Sequence, residues 1–544
     1  MWCCSSKAWV VRLAVESLAA ISICLVLSSA AFALASGDKS RNRAERALRD
    51  GEFSLAEQIY REMLSKDAHD NVARLGLSLA LLKQRQFQDA YDHAARVILA
   101  DPLSSRAHAL LGAVILASGD FRESVEEFRT ARSLNDGEPL AVGGLAMIDL
   151  YENRLDSAVR GLRRACDLDS NEPDFIFNLG QAAARTERYK EAAEAYERFL
   201  VIAPKTDAER RARIRGLIDF LRYLGKQNSL YVLGGANRTV VKFESTDSRP
   251  ILLVRVNGEK TPLRFVLDTG SGMSVISEAT AERLGVRSVA RGGMARAVGG
   301  GGRFEIVYGF LSSIDVGEVR VENVPVYIRH FYDNKTPVDG YLGLSVISKF
   351  IAAVDYGDRT FGLTRGRQSE NKDLWRPTNG SDTSDVKPPT SPMTTVEIPI
   401  RTTSSGFLSG EVRLEGVAKP LNFIIDTGAS VSVVAEKLAT GDELSGYAEV
   451  GRMRVYGAAG VTEDVKTLVL PNVMLGTITQ EKVNVAVLDL EPVNETAGFR
   501  QSGILGANFL KYFRVTFDFQ RGVIRLEPAS STPKVTDSPQ SDEP

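Results

Sequence analysis

The sequence predicts a multidomain chain: an α-solenoid followed by two all-β barrel domains. Three observations point there. Residues 37–204 repeat a pattern of large and small apolar positions every 34 residues. After Lys226 the helical spacing gives way to strand-like apolar runs and turn signals. Finally, a stretch of thirteen residues is written nearly twice, FVLDTGSGMSVIS over Phe265–Ser277 and FIIDTGASVSVVA over Phe423–Ala435. A chain of 544 residues has room for three or four domains. With 44% hydrophobic and 25% charged residues it is ordinary globular material, and a formal net charge of −2 lacks the basic footprint of a nucleic-acid binder.

The N-terminal segment, residues 1–35, opens with Lys7 and Arg12 and continues as an apolar run, Ala19 to Ala35. It closes on AFALA, with small residues at Ala33 and Ala35. This reads as a secretory signal cleaved after Ala35, or, left uncut, as an N-terminal membrane anchor. Either reading puts the remainder outside the cytoplasm, periplasmic or secreted. Of the 4 cysteines, Cys3, Cys4 and Cys24 precede or lie within this run, leaving Cys166 alone and no disulfide framework. His69, His93, His108 and His330 are scattered without ligand spacing, so neither a metal nor another cofactor is expected.

In the repeat region Phe53, Phe87, Phe121, Leu155 and Tyr189 hold the large position. Ala56, Ala90, Ser124, Ala158 and Ala192 hold one small position, and Ala44, Ser78, Gly112, Ala146 and Gly180 another. Small residues let paired helices approach, while large ones fill the gap to the next pair. The pattern, with Pro102 and Pro204 at repeat ends, resembles the tetratricopeptide repeat. That resemblance implies about five helical hairpins, with residues 37–225 including a polar-faced capping helix from Asp207 to Leu224. It also implies a groove that takes a protein partner.

The β region divides into residues 230–365 and 395–528. Around them lie a polar, Pro- and Ser-containing linker (366–394) and a tail (529–544), both reading as disordered. In the first copy, ILLVRV and PLRFVLD flank an Asn257-Gly258 turn and deliver Asp268 at the end of a buried strand. In the second, a turn near Glu415-Gly416 leads to Asp426. Each aspartate precedes Thr-Gly, then a glycine-rich hairpin tip (Gly299, Gly300 and Gly301; Gly457 and Ala458), then a hydrophobic-hydrophobic-glycine element, VDGYLG or QSGILG. The tip glycines precede no helix, so they are not a dinucleotide fingerprint.

This ordered set, present twice, resembles the aspartic proteases, and the short copies are closest to the retroviral (retropepsin) type. The resemblance spans nearly all of residues 230–528. It implies that Asp268 and Asp426 form a catalytic pair, with Thr269 and Thr427 bonded across the two halves and Gly270 and Gly428 presenting backbone N–H groups. For the threonines, local turn bonding is the other reading. The tip residues would be flaps over a peptide or protein substrate. The expected function is thus an aspartic-type endopeptidase whose tetratricopeptide array recruits substrate or partner. The alternative is a non-catalytic peptide-binding scaffold. A linker of about 28 residues reaches about 30 Å, so the copies can pair within one chain; pairing between two chains is the competing arrangement.

Overall fold

The computed structural model describes residues 39–246, 248–299, 302–333, 337–366, 395–441, 444, 447 and 449–529. The proposed signal or anchor, linker residues 367–394 and tail residues 530–544 lie outside them. Among the described residues no helix is long and apolar enough to cross a membrane.

The 34-residue period maps onto helix starts. Phe53, Phe87, Phe121, Leu155 and Tyr189 are the first residues of the helices Phe53–Lys66, Phe87–Ala100, Phe121–Leu134, Leu155–Leu168 and Tyr189–Ile202. Between them run Asn71–Lys83, Ser105–Ser118, Pro139–Tyr151 and Pro173–Arg185. The small positions are shut in: Ala44, Ala56, Ser78, Ala90, Ser124, Ala158 and Ala192 have no exposed surface. The chain divides into two compact units. The first holds most of the first three repeats, with a core of small and branched residues around Tyr60, Leu77 and Leu81.

The second unit contains the last two repeats, the helix Ala208–Leu224 and both β domains. Its β lobes are built alike. In the first, strand Leu263–Leu267 pairs antiparallel with Arg249–Val256 and parallel with Gly340–Leu342. In the second, Leu421–Ile425 pairs antiparallel with Leu408–Leu414 and parallel with Gly503–Leu505. The VDGYLG and QSGILG elements therefore lie beside the aspartate strands. The Asn257-Gly258 turn has positive φ at both residues (53° and 76°), which favours Asn and Gly there.

The lobes are joined within one chain by a shared sheet. Its strands run Val396–Thr402, Val523–Pro528, Phe513–Asp518, Ile351–Asp355, Thr360–Thr364, Arg238–Lys242. The junction is the antiparallel pair in which Val354 faces Val515 and Ile351 faces Asp518. It links VDYGDRTFGLT with the equivalent VTFDFQRGVIRL, so the sequence likeness of the two endings is realised as an approximate twofold. Phe361, Val515, Phe517, Ile524 and Leu526 are almost fully buried behind it.

The last repeats rest on these lobes. The Tyr151 ring meets Phe499 edge-on at 5.0 Å. Gln181 Nε2 donates to the Ser404 carbonyl at 3.2 Å, Arg500 N to the Ala117 carbonyl at 3.0 Å, and Lys349 pairs with Glu187 at 3.1 Å. The helix Ala208–Leu224 covers the first lobe rather than presenting a polar end to solvent. Phe220 stacks on Tyr308 at 4.1 Å, and Tyr223 meets Phe310 at 5.7 Å. Arg213 donates to the Met294 carbonyl at 3.0 Å. Five repeats leave an apolar helix face uncovered, and here the chain's own sheet covers it.

Candidate active site

Each aspartate stands where a buried strand ends. The backbone N–H of Asp268 donates to the Leu342 carbonyl, and that of Asp426 to the Leu505 carbonyl, both at 3.0 Å. Those bonds come from the parallel strands that carry the hydrophobic-hydrophobic-glycine elements. They explain why those elements follow each Asp-Thr-Gly in the sequence.

The two Thr-Gly turns interlock. Thr269 N–H donates to Thr427 Oγ1 at 3.2 Å, and Thr269 Oγ1 donates to the Ile425 carbonyl at 2.8 Å. Reciprocally, Thr427 N–H donates to Thr269 Oγ1 at 3.0 Å and Thr427 Oγ1 to the Leu267 carbonyl at 2.7 Å. Both threonines are fully buried. Cross-lobe bonding, not local turn bonding, is their role. We predict that T269V, which leaves the Thr427 N–H and the Ile425 carbonyl without partners, costs about 2–4 kcal/mol of stability. Urea unfolding of the full chain checks this, and a loss under about 0.5 kcal/mol would contradict it.

Gly270 and Gly428 bring the carboxylates together. A side chain on Gly270 would fall 2.3 Å from the Asp426 carboxyl carbon, and one on Gly428 would fall 2.8 Å from Asp268 Oδ1. Only a hydrogen at these positions leaves room for the opposite carboxylate. Gly270 N–H donates to Asp268 Oδ1 at 2.9 Å. Gly428 and Ala429 N–H groups both donate to Asp426 Oδ1, at 2.7 and 3.2 Å. Each carboxyl thus lies against the glycine of the opposite turn, which brings the two acids close enough to interact.

These contacts make the pair electrically unequal. Burial raises both above the ordinary carboxyl value. Asp268 is raised well above it, by burial and then by the adjacent Asp426 charge, with one backbone donor in opposition. Asp426 is raised less, because burial is countered by the Gly428, Ala429 and Gly270 N–H groups and by the bond from Asp268. The two acids therefore titrate as a pair that holds one proton between them over a wide pH range, with more backbone donors on the Asp426 side.

Two hairpins, one from each lobe, meet at their tips. The first comprises Ala290–Arg296 and Arg303–Val316, the second Glu449–Gly457 and Gly460–Leu475. Their tips touch: a Cβ on Gly457 would lie 2.5 Å from the Val298 carbonyl oxygen, and one on Gly299 would lie 3.2 Å from Gly457 Cα. Of the five tip residues read from the sequence, Gly299, Gly457 and Ala458 meet here; Gly300 and Gly301 lie outside the described residues. The Ala458 carbonyl accepts a hydrogen bond from Arg329. Tyr308 is buried under Phe220 and is not at the tip, whereas Tyr456 is partly exposed beside the second tip.

Sequence reasoning missed Arg329, which lies close enough to Asp268 for its charge to favour the ionised carboxylate. The signal was a lone arginine closing the apolar run VPVYIR. Among the described residues, no cluster of His, Cys, Asp and Glu fits a metal ion.

Comparison with known proteins assigns these parts. The aspartyl protease family model matches residues 252–346 and 410–509, one segment in each lobe. Tetratricopeptide repeat models match residues 47–114 and 144–206. The anaphase-promoting complex subunit 3 of Schizosaccharomyces pombe is 29% identical over 135 residues, 25% of this chain and 20% of that protein. The chain thus spans about a fifth of that relative's length. A tetratricopeptide protein of Thermus thermophilus, TTC0263, is 18% identical, with a TM-score of 0.29, covering 34% of this chain and 98% of that one. An aspartic proteinase from Irpex lacteus is 15% identical, with a TM-score of 0.34, covering 55% of this chain and 100% of that one. The chain joins a tetratricopeptide array to two aspartyl protease-type domains.

Proposed function

We propose that the protein is an aspartic-type endopeptidase in which Asp268 and Asp426 activate one water between them. The observation that carries this reading is the interlocked pair of Asp-Thr-Gly turns, in which each buried carboxyl lies against the opposite lobe's glycine. A scaffold has no need for two buried acids in contact, since their desolvation and repulsion cost stability. As general base, ionised Asp426 takes a proton from the water as its oxygen attacks the peptide carbonyl carbon. Asp268 gives its proton to the carbonyl oxygen, forming a tetrahedral diol. Collapse of the diol breaks the C–N bond: the proton held by Asp426 passes to the leaving nitrogen, and one diol hydroxyl returns its proton to Asp268 as the acid product forms.

The array's role follows from the repeats, which as a class imply protein–protein contact. In this chain the last two already hold the protease-type lobes, so recruitment of substrate or a partner falls to the remaining repeats. We place the mature protein outside the cytoplasm, on the N-terminal sequence. Incubating purified full-length protein with a mixed peptide library at acidic and neutral pH, with and without a pepstatin-type inhibitor, tests the reading. Inhibitor-sensitive endoproteolysis is expected. Peptide binding without turnover at any pH would leave the scaffold.

A further inference from the structure

Arg329 ends the strand Val319–Arg329, and its side chain is half-buried. A guanidinium in that setting is normally matched by a carboxylate, because burial of an unpaired charge is costly. Among the described residues its partners are instead the Phe304 ring, 3.9 Å below the guanidinium, and the Ala458 carbonyl of the second hairpin tip. Among the described residues its Nε has no acceptor, and it is out of contact with solvent.

The arginine borders a pocket of about 200 Å³ whose walls include Phe304, Val307, His330 and Ala458. That is room for one extended acidic side chain. The acidic groups on the rim are already engaged: Glu278 pairs with His330 at 3.4 Å, and Glu305 with Arg291 at 2.5 Å. Arg303, also on the rim, pairs with Glu209. Among the described residues Arg329 is left without a carboxylate partner, in contact with the second tip and near enough to Asp268 for its charge to be felt there.

We propose that Arg329 is a specificity-determining residue, taking the carboxylate of an aspartate or glutamate side chain near the scissile bond of a peptide substrate. The inference rests on the endopeptidase reading. A planar guanidinium already oriented by Phe304 can bind a carboxylate with two N–H groups. Binding would exchange the Ala458 carbonyl for a stronger acceptor, so that substrate capture and release of the second tip coincide. A peptide's C-terminal carboxylate offers the same chemistry and is separated below.

The test uses the full-length protein and peptide pairs from a positional library that differ only as Glu or Gln at one position, each with a free-acid or amidated C-terminus. Turnover is measured with the native protein, R329M and R329K. Binding is measured calorimetrically with D426N. At one position Glu should be preferred over Gln by roughly ten- to a hundredfold in kcat/KM. The preference should collapse toward unity in R329M and be partly retained in R329K. Equal handling of Glu and Gln, a preference that survives in R329M, or selection governed by the C-terminus would overturn the assignment. If nothing is cleaved but D426N binds Glu peptides better than Gln peptides, and adding R329M removes the difference, the endopeptidase reading fails while the carboxylate site stands. Should R329M not fold, R329Q gives the same contrast.

Discussion

Replacing either Asp268 or Asp426 with Asn is expected to lower kcat/KM for peptide cleavage by about 10⁴-fold or more while leaving the fold in place. D426N removes the group that takes the water's proton; D268N removes the acidity needed at the carbonyl oxygen. Since both act on one transition state, the double variant should be no worse than either single one by any multiplicative factor. The pH profile of kcat/KM should be bell-shaped. Its acid limb, above 3.8, belongs to the second proton taken up by the pair, and its alkaline limb, higher still, to loss of the shared proton.

Stability supplies a second readout. A carboxyl whose pKa is raised by folding is neutral in both states below 3.8, the unfolded value, and contributes no penalty there. As pH rises the unfolded chain ionises first, so stability is lost progressively through the folded pKa values. D268N removes much of that loss. The melting temperature of D268N relative to the native protein should therefore rise between about pH 4 and about pH 7. A D268N variant that is inactive and also less stable at neutral pH would show that the loop geometry, rather than the chemistry, had been destroyed. Full activity in both single variants would eliminate the paired-acid mechanism.

Much of this was legible from sequence because it depends on burial and on repetition. The 34-residue period marks where helices pack, and the large position at Phe53 and its counterparts falls on helix starts. The doubled Asp-Thr-Gly carried its own context, since the VDGYLG and QSGILG glycines lie on strands parallel to the aspartate strands. What periodicity does not carry is the partner of a buried face. The stretch ERRARIRGLIDFLRYL reads as a polar cap because arginines dominate it. Yet Ala212, Gly216, Phe220 and Tyr223 recur every three or four residues and form a second face. A small pair at i and i+4 followed by aromatics was the available sign. Arg329 was hidden for a related reason: one charged residue in a strand has no period.

That second face makes the Gly216→Ala variant informative, because two effects oppose each other. In a helix whose outer side meets water, Gly to Ala stabilises by about 1 kcal/mol through helix propensity. Here a methyl group on Gly216 would lie 2.0 Å from the Arg291 carbonyl oxygen and 2.4 Å from Gly292 Cα. Both are backbone atoms of the first hairpin, so no side-chain rotation can relieve the clash. Either the helix withdraws, unstacking Phe220 from Tyr308, or the strand Ala290–Arg296 shifts. Overpacking of this kind costs about 1–3 kcal/mol, and with backbone on both sides the upper end is expected, so G216A should lower stability by about 2 kcal/mol net. The displaced strand carries the hairpin whose tip, Val298 and Gly299, meets the second hairpin at Gly457. Cleavage should fall with it, mainly through kcat/KM, although Gly216 touches neither carboxylate. The urea midpoint and peptide turnover of full-length G216A decide the matter. A higher midpoint with unchanged turnover would mean the helix is not seated on the hairpin, and the array would then have no mechanical hold on the cleft. A lower midpoint with impaired turnover, in contrast, makes the end of the repeat array part of what holds the first hairpin, so a partner that bends the repeats would act directly on access to the site.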